Sequence, residues 1–206
     1  MKLEVKGTKN PYSVHIEKGL TKNLLRFMDS DTTYVLLTDS GVPKALVKSV
    51  ENAIAPRKTI TVKQGEGSKS MRTYEDVLLA MQALNLQRSA HLVALGGGVV
   101  SDLGGFVAAT YKRGIPFTII PTTLLSMVDA SVGGKVAINT TYAKNSVGAF
   151  YTPVRVLIDP TMATAPGGIE YFHADNGFDH PNPTLAGKRE KSIFRSMGLI
   201  GGESDV

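Results

Sequence analysis

The chain has 206 residues, of which 42% are hydrophobic and 20% charged, enough for one folded domain and part of another. Its formal net charge of +5 favours anionic ligands but is too small to indicate nucleic-acid binding, so no nucleic-acid partner is expected. The lack of cysteine excludes disulfides and thiolate catalysis, and the lack of a signal segment or an apolar run of ~20 residues predicts a cytoplasmic protein without a membrane span.

Apolar runs typical of buried strands alternate with helical patterns over the first three quarters of the chain. Strands are predicted at 12–16, 33–39, 59–62, 91–95, 117–120 and 154–158. Helices are predicted at 42–54, at 73–86 with Thr73 as N-cap, and from the glycines at 96–98 to residue 112. This alternation predicts an α/β fold with a mostly parallel sheet flanked by helices.

The texture of the sequence changes after Asp159 and Pro160. Glycine and proline become frequent, and a helical pattern returns only at 188–200. We place a domain boundary near residue 160, because the segment 161–206 is too short to bury a core of its own. The fold prediction therefore includes a truncated or divergent C-terminal segment.

The stretch "VALGGGVVSDLGGF" carries Gly96, Gly97 and Gly98 between a predicted strand and a predicted helix. Such a turn brings bare backbone N–H groups close to a phosphate at a helix N-terminus. The dinucleotide pattern G-x-G-x-x-G is not met, because Ser101 stands in place of its third glycine. A phosphate cradle and a tight structural turn both remain open, and Asp102 could satisfy the helix N-terminus or bind a ribose hydroxyl or an amide.

Two further loops carry polar side chains next to predicted strand ends. "QGEGSKS" holds Glu66 and Lys69, for which a solvated loop with a surface ion pair is the favoured interpretation. "IPTTLLSMVDASVGGK" holds Asp129, an acid that would be costly to bury without a partner such as Lys135 or Arg113. The alternative for this second loop is a helix N-cap at Thr122 or Thr123 together with a surface acid.

Cations and histidines complete the candidate groups. A phosphate-bearing ligand would suit Lys112, Arg113, Lys135 and Lys144, although each alone could be a solvated surface charge. His91 begins an apolar strand, which favours a structural role. His173 and His180, with the acids around them, match no metal-binding motif, so no metal ligand is assigned.

Together these motifs closely resemble the 3-dehydroquinate synthase family. The patterns "GGGVxxDxxGF", "RGxxFxxxPTTLLxxxDxSVGGKxxxN" and "KNxxGxF" occur in order, preceded by "GExxKS", and the resemblance covers about residues 3–160. Related cyclases and polyol dehydrogenases share the glycine turn, but the dehydrogenases lack "PTTLLxxxDxSVGGK".

The resemblance implies a Rossmann-like NAD-binding domain over residues 1–160. It assigns to NAD the residues Asp39, Glu66, Lys69, Gly97, Gly98, Val99, Asp102, Thr122, Thr123 and Lys144. It assigns to the substrate Arg113, Asp129, Lys135 and Asn145, with Lys135 and Asp129 as catalytic residues. The implied reaction is redox-neutral: DAHP, a seven-carbon keto-acid phosphate, loses phosphate and becomes 3-dehydroquinate, a step of the shikimate pathway towards aromatic amino acids. Family members are commonly dimers, so a homodimer is possible.

The resemblance ends before the part of the family that binds a divalent metal, zinc or cobalt. The family segment "E…GxAExxKxG", whose second Glu is a metal ligand, is not recognisable after Pro166. We therefore interpret 161–206 as a divergent remnant of the helical metal-binding domain and expect little turnover from this chain alone. The alternatives are a non-catalytic NAD-binding remnant and an NAD-dependent polyol dehydrogenase of the same superfamily.

Overall fold

A computed structural model describes residues 1–6 and 10–163 of the chain. The described strands are β1 (Lys2–Val5), β2 (Tyr12–Ile16), β3 (Tyr34–Asp39), β4 (Lys58–Val62), β5 (His91–Gly96), β6 (Phe117–Pro121), β7 (Lys135–Ile138), β8 (Val147–Phe150) and β9 (Arg155–Ile158). The helices are α1 (Lys44–Ile54), α2 (Met71–Gln82) and α3 (Gly98–Thr110), with short 3₁₀ segments between them and a π-helical turn at Ser126–Ala130. The predicted helix at 188–200 and the candidate metal-binding histidines lie outside the described residues.

Seven of these strands form one sheet, in the order β1-β2-β9-β6-β5-β3-β4. β1 runs antiparallel to β2, and every other neighbouring pair is parallel. The predicted α/β class with a mostly parallel sheet is therefore confirmed. β7 and β8 form a separate antiparallel hairpin.

The strand order reverses between β3 and β5. From β3 the chain moves outward to β4, whereas from β5 it moves the other way to β6, although β3 and β5 are paired neighbours. In open α/β sheets, ligands bind in the crevice at the carboxyl ends of strands where the order reverses. The topology thus points to the ends of β3 and β5, which are Asp39 and the glycine turn.

Alternate residues of the central strands face opposite layers. Leu36 of β3 packs with Val50 and Ile54 of α1 in one buried cluster, together with the 3₁₀ segment at Leu20–Phe27. Leu37 faces the other layer, where a Cβ on Gly104 of α3 would lie 3.3 Å from its Cδ2 atom. This alternation is the period of two expected for a strand that is buried on both faces.

The start of α2 corrects one sequence prediction. The N-cap is Ser70, not Thr73, and its hydroxyl accepts a hydrogen bond from the Thr73 N–H at 3.3 Å. Ser70 adopts extended backbone angles while the helix begins at Met71, which places Thr73 in the first turn. The helix also ends at Gln82 rather than Leu86, since Asn85 adopts a left-handed φ of 49°.

Candidate functional site

The glycine turn connects β5 to the N-terminus of α3. The first intrahelical bond runs from the Ser101 N–H to the Gly97 carbonyl at 3.0 Å, so the amides of residues 98–100 precede the helical ladder. Gly97 caps the helix with no side-chain hydrogen bond. A Cβ on Gly96 would lie 2.6 Å from Cγ2 of Val100, so this turn requires glycine there.

Ser101 explains why the dinucleotide pattern is irregular. Its side chain is buried, and its hydroxyl donates to the Gly97 carbonyl at 3.2 Å. The position that carries glycine in the strict pattern is therefore used here to brace the turn from within the helix. Ser101 in place of glycine therefore leaves the backbone N–H groups of the first turn of α3 available to bind an anion.

Lys69, Asp102 and Asn145 meet beside this helix N-terminus. The Lys69 amine donates to Oδ2 of Asp102, in the first turns of α3, and to Oδ1 of Asn145, in the loop before β8. The Lys69 side chain is only 6% exposed and that of Asp102 is 20% exposed. The interpretation of this loop as solvated, with a surface ion pair, is therefore wrong at Lys69: its amine is buried and pairs with Asp102 rather than with Glu66.

Asn139 joins the same cluster, although no role for it was predicted from the sequence. Its side-chain Nδ2 donates to Oε1 of Glu66 at 2.7 Å, and its Oδ1 accepts from the Asn145 N–H at 2.8 Å. The signal was present as the last position of the "SVGGKxxxN" pattern. Sequence spacing alone does not show which side chains such a residue joins.

Opposing effects act on the Asp102 carboxyl. Burial raises its pKa, while the hydrogen bond and positive charge of Lys69 lower it. The nearby carboxylates Glu66 and Asp129 act in the same direction as burial, and the net result is a pKa above the ordinary value. Lys69 thus offsets part of the effect of burial on Asp102, and the two paired side chains form one electrostatic unit.

A cavity of about 500 Å³ lies beside this unit. Four residues that the resemblance implied for the site line it: Asp102, Asp129, Lys135 and Asn145. The wall also includes the exposed ring of Phe150 and parts of the β7–β8 hairpin. The cavity thus presents two carboxylates that can accept hydrogen bonds from hydroxyls, and one ammonium group and one amide that can donate to an anionic group.

Asp129 is exposed rather than buried. It lies in the π-helical turn at Ser126–Ala130, on the cavity side of the hairpin. A partner such as Lys135 or Arg113 is therefore not required by burial, because solvent reaches the carboxylate. The alternative of a surface acid preceded by a threonine N-cap describes the geometry: Thr123 Oγ1 accepts from the Ser126 N–H at 3.2 Å.

The remaining predicted nucleotide residues border the crevice at the carboxyl edge. Asp39 ends β3, and its Oδ1 accepts from the Gly41 N–H at 2.7 Å. The Thr122 N–H donates to the Gly96 carbonyl at 2.9 Å, and a Cβ on Gly97 would approach Cγ2 of Thr123 to 3.3 Å. These residues surround the turn, as do Gly98 and Val99 at the start of α3.

Two of the predicted cations are not brought into this cluster. Lys144 is exposed in the loop beside Asn145. Arg113 follows the far end of α3, where it and Lys112 adopt left-handed φ values of 66° and 49°. Neither Arg113 nor Lys144 is among the described residues that line the cavity.

The described part of the chain contains no cluster of potential metal ligands. Within residues 1–6 and 10–163, no three His, Asp or Glu side chains lie together in a way that could hold a metal ion. The prediction that the chain carries no metal ligands stays a prediction, since His173 and His180 lie outside those ranges.

Over residues 1–6 and 10–163, no helix is both long and apolar enough to cross a membrane.

Comparison with known proteins decides the family. The family model for the N-terminal part of 3-dehydroquinate synthase matches residues 59–168. The chain belongs to the 3-dehydroquinate synthase family. A curated family member from Clostridium acetobutylicum is 42% identical over 165 residues, which are 77% of this chain and 46% of the relative. The chain thus spans about half the length of the curated relatives it matches.

Solved structures of two other synthases share the fold of this chain. A 2-deoxy-scyllo-inosose synthase complexed with carbaglucose-6-phosphate, NAD⁺ and Co²⁺ is 25% identical, with a TM-score of 0.72 over 79% of this chain and 46% of that one. The 2-epi-5-epi-valiolone synthase from Streptomyces hygroscopicus, with NAD⁺ and Zn²⁺ bound, is 30% identical, with a TM-score of 0.68 over 77% and 46% of the two chains. The family resemblance drawn from the sequence motifs is therefore confirmed.

Proposed function

We propose that this chain is the NAD-binding half of a 3-dehydroquinate synthase. The observation that carries the proposal is the meeting of Lys69, Asp102 and Asn145 at the N-terminus of α3. Three segments that are distant in sequence supply them, beside the crevice where the strand order reverses. Family membership and the NAD⁺ bound in two solved neighbours support the same assignment.

The chemistry of the crevice fits a dinucleotide. The bare amides at the start of α3 and the positive end of its dipole suit a pyrophosphate. Asp39 and Glu66 offer carboxylates that accept hydrogen bonds from ribose hydroxyls. Asp102 lies in the second turn of α3, where its carboxylate can accept a hydrogen bond from the carboxamide of the nicotinamide. Thr122, Thr123 and Lys144 would complete the contacts around the turn.

The cavity beside Asp102 is proposed to hold the phosphorylated substrate, DAHP. Lys135 and Asn145 would donate to its anionic groups, and the exposed Asp129 carboxylate would accept from a hydroxyl. Lys135 and Asp129 are the proposed catalytic residues of this half. NAD, when bound, accepts a hydride and returns it, so the overall conversion to 3-dehydroquinate with loss of phosphate is redox-neutral.

The divalent metal of the family is not assigned to this half. The side chains of residues 1–6 and 10–163 provide no cluster that fits zinc or cobalt, so no step is derived through a metal here. The two solved neighbours, each covered to 46% by this chain, hold Co²⁺ and Zn²⁺ respectively. We accordingly propose that formation of 3-dehydroquinate is the activity of a full-length family member, to which this chain contributes the nucleotide crevice.

The position of Arg113 supports the proposal of a homodimer. About 12 Å of helix separates Asp102 from Thr110 at 1.5 Å per residue, and Arg113 lies beyond that end of α3. If Arg113 binds substrate, as the family resemblance implies, a second copy of the chain would supply it to the cavity. Sedimentation should then show a dimer, and Arg113→Ala should weaken DAHP binding while NAD binding stays unchanged.

The proposal is tested by calorimetric titration of the chain with NAD. We expect saturable binding in the wild type, and an affinity at least ~10-fold lower in Asp102→Asn, because that change removes one charge-assisted pair from the crevice. Asp76→Asn on the exposed face of α2 is the matched control and should bind as the wild type does. Wild-type protein that shows no NAD binding would overturn the proposal. Phosphate release from DAHP, measured in parallel with NAD and zinc present, separates nucleotide binding from turnover.

A further inference from the structure

Asn139 lies immediately after β7, and its backbone fastens that strand to the loop before α2. Its N–H donates to the Lys69 carbonyl at 2.8 Å. Ser70 and Asn139 also pair as an isolated parallel bridge. The residue that follows the hairpin strand is thus held directly beside the buried Lys69, independently of its side chain.

The Asn139 side chain uses both ends of its amide. Its Nδ2 donates to Oε1 of Glu66 at 2.7 Å, and its Oδ1 accepts from the Asn145 N–H at 2.8 Å. Each partner fixes one end of the amide, because a carboxylate only accepts and a backbone N–H only donates. Asparagine is therefore the residue type that satisfies both contacts at once: aspartate lacks the donor, and alanine lacks both groups.

Both partners of this amide belong to the proposed site: Glu66 is assigned to the nucleotide, and Asn145 lines the substrate cavity beside it. Asn145 adopts a left-handed φ of 52°, and its own side chain accepts from the Lys69 amine. Glu66 otherwise lies on an exposed loop. One side chain thus holds an exposed carboxylate on one side and an unusual backbone conformation on the other.

We propose that Asn139 is a positioning residue, which sets Glu66 for the nucleotide and holds Asn145 against Lys69, without contacting the nucleotide itself. Asn139 is not among the described residues that line the cavity, so its effect would pass through those two neighbours. This inference rests on the proposed NAD-binding function and extends it to a residue to which neither the motifs nor the comparisons give a role. The amide makes one preorganised unit from the 66–70 loop, the end of β7 and the 143–146 loop.

Two variants separate the two contacts. Asn139→Asp keeps the acceptor for the Asn145 N–H but faces the Glu66 carboxylate with a second carboxylate, whereas Asn139→Ala loses both contacts. The backbone bond to Lys69 remains in each. We expect NAD affinity, measured by calorimetry, to fall about 10-fold in either variant, as for the loss of one charge-assisted hydrogen bond. Asn52→Ala, on the exposed face of α1, is the matched control and should leave the affinity unchanged.

A double-mutant cycle shows whether Asn139 acts through Glu66. In a Glu66→Ala background, Asn139→Asp should cause no further loss of NAD affinity, because the group that it misplaces is already absent. An equal loss in both backgrounds, accompanied by a lower melting temperature, would show a general structural role and contradict the proposal. If every Asn139 variant bound NAD as tightly as the wild type, this inference would be overturned and the proposed function would stand. Wild-type protein without NAD binding would overturn both.

Amide hydrogen exchange tests the geometry without any ligand. The Asn145 N–H should exchange faster in Asn139→Ala, since its acceptor is gone, and stay protected in Asn139→Asp. Unchanged protection of Asn145 in Asn139→Ala would show that the side chain does not hold this loop.

Discussion

His91 shows how a single buried residue couples the fold to pH. It begins β5, is 5% exposed, and its Nε2 lies 2.9 Å from Oγ1 of Thr118. Burial lowers the pKa of His91 to about 4, with a further lowering by the positive charge of Arg155 and a partial offset from Asp29. The folded protein therefore holds this imidazole in its neutral form.

This preference makes stability fall on the acid side. The contribution of neutral His91 to the free energy of unfolding is fully present above pH 6.5, the ordinary pKa of histidine. It is lost as the pH falls from 6.5 through about 4, the pKa of His91 in the folded protein. The shift corresponds to about 3 kcal/mol between pH 7 and pH 4. Urea unfolding at both pH values should show that loss in the wild type and not in His91→Gln, which keeps a polar group but cannot ionise. Other groups titrate in both proteins, so equal pH dependence in the two would contradict the assignment.

Thr38 presents the opposite case, a buried polar group without a partner. It is 1% exposed on β3, and its Oγ1 has no hydrogen-bond partner among the described residues. We expect Thr38→Val to stabilise the protein by about 1 kcal/mol, because an unsatisfied hydroxyl is removed with little change of shape.

Thr118→Val is the contrasting variant. The Thr118 hydroxyl pairs with His91, so this change should destabilise the protein by about 1 kcal/mol. Chemical denaturation measures both, and a loss of stability in Thr38→Val would show that the hydroxyl has a partner after all.

At the scale of residues, the sequence supplied the members of the candidate site but not their pairing. Asp102, Asp129, Lys135 and Asn145 were all expected, and they line one cavity. Lys69 was expected to be solvated, yet it is buried against Asp102, 33 residues away. That burial depends on the packing of α3 against the loop, which no local pattern records.

At the scale of elements, the strong periodic segments were predicted and the weak ones were missed. β3, β5 and β6 are continuous apolar runs, and each appears close to its expected position. β8 has three exposed residues among its four, so it exists because it pairs with β7 rather than because of its own pattern. The hairpin in turn depends on α3, against which Val136 of β7 is buried.

The packing of the hairpin on α3 gives a testable dependence on Gly105. A Cβ at this position would overlap Cγ1 of Val136 and approach Cε2 of Phe117 to 3.3 Å. We expect Gly105→Ala to destabilise the protein by about 1–3 kcal/mol through overpacking, against the ~1 kcal/mol that alanine adds to helix propensity. Thermal unfolding measures the difference.

Two further variants show whether the clash is the cause. Gly67→Ala should change stability little, since no atom lies within 4 Å of a Cβ at that position. Val136→Ala in the Gly105→Ala background should restore room, so the double variant should lose less than the sum of the two single changes. Simple additivity would show that helix and hairpin do not meet at this point.

At the scale of the whole molecule, Asp159 ties the end of the last described strand to the chain near its start. It is fully buried after β9, and its two oxygens accept from the Gly19 N–H at 3.0 Å and the Thr21 N–H at 3.2 Å. They also accept from the Thr21 hydroxyl at 2.9 Å and from the N–H and hydroxyl of Thr161 at 3.1 and 2.6 Å. Burial raises the pKa of this carboxyl, but the hydrogen bonds from Thr161, Gly19 and Thr21 outweigh it, and the net pKa is lowered. The site therefore holds a carboxylate surrounded by donors.

Each of the five hydrogen bonds to Asp159 is donated to one of its carboxylate oxygens, so this position needs a side chain with two acceptor oxygens and a negative charge. Asp159→Asn would turn an amide NH₂ towards those donors, and we expect a loss of about 2–4 kcal/mol at pH 7 by urea unfolding. Because the folded pKa is lowered, the contribution of Asp159 to stability is full above its ordinary pKa of 3.8 and is lost as the pH falls through the folded value. The difference in stability between wild type and variant should therefore narrow in acid. Asp76→Asn on the surface of α2 should unfold as the wild type does at every pH. If Asp159→Asn matched that control, the contacts between residues 19–21 and 159–161 would add nothing to closing the sheet, and the cooperativity of the domain would have to come from the apolar layers alone.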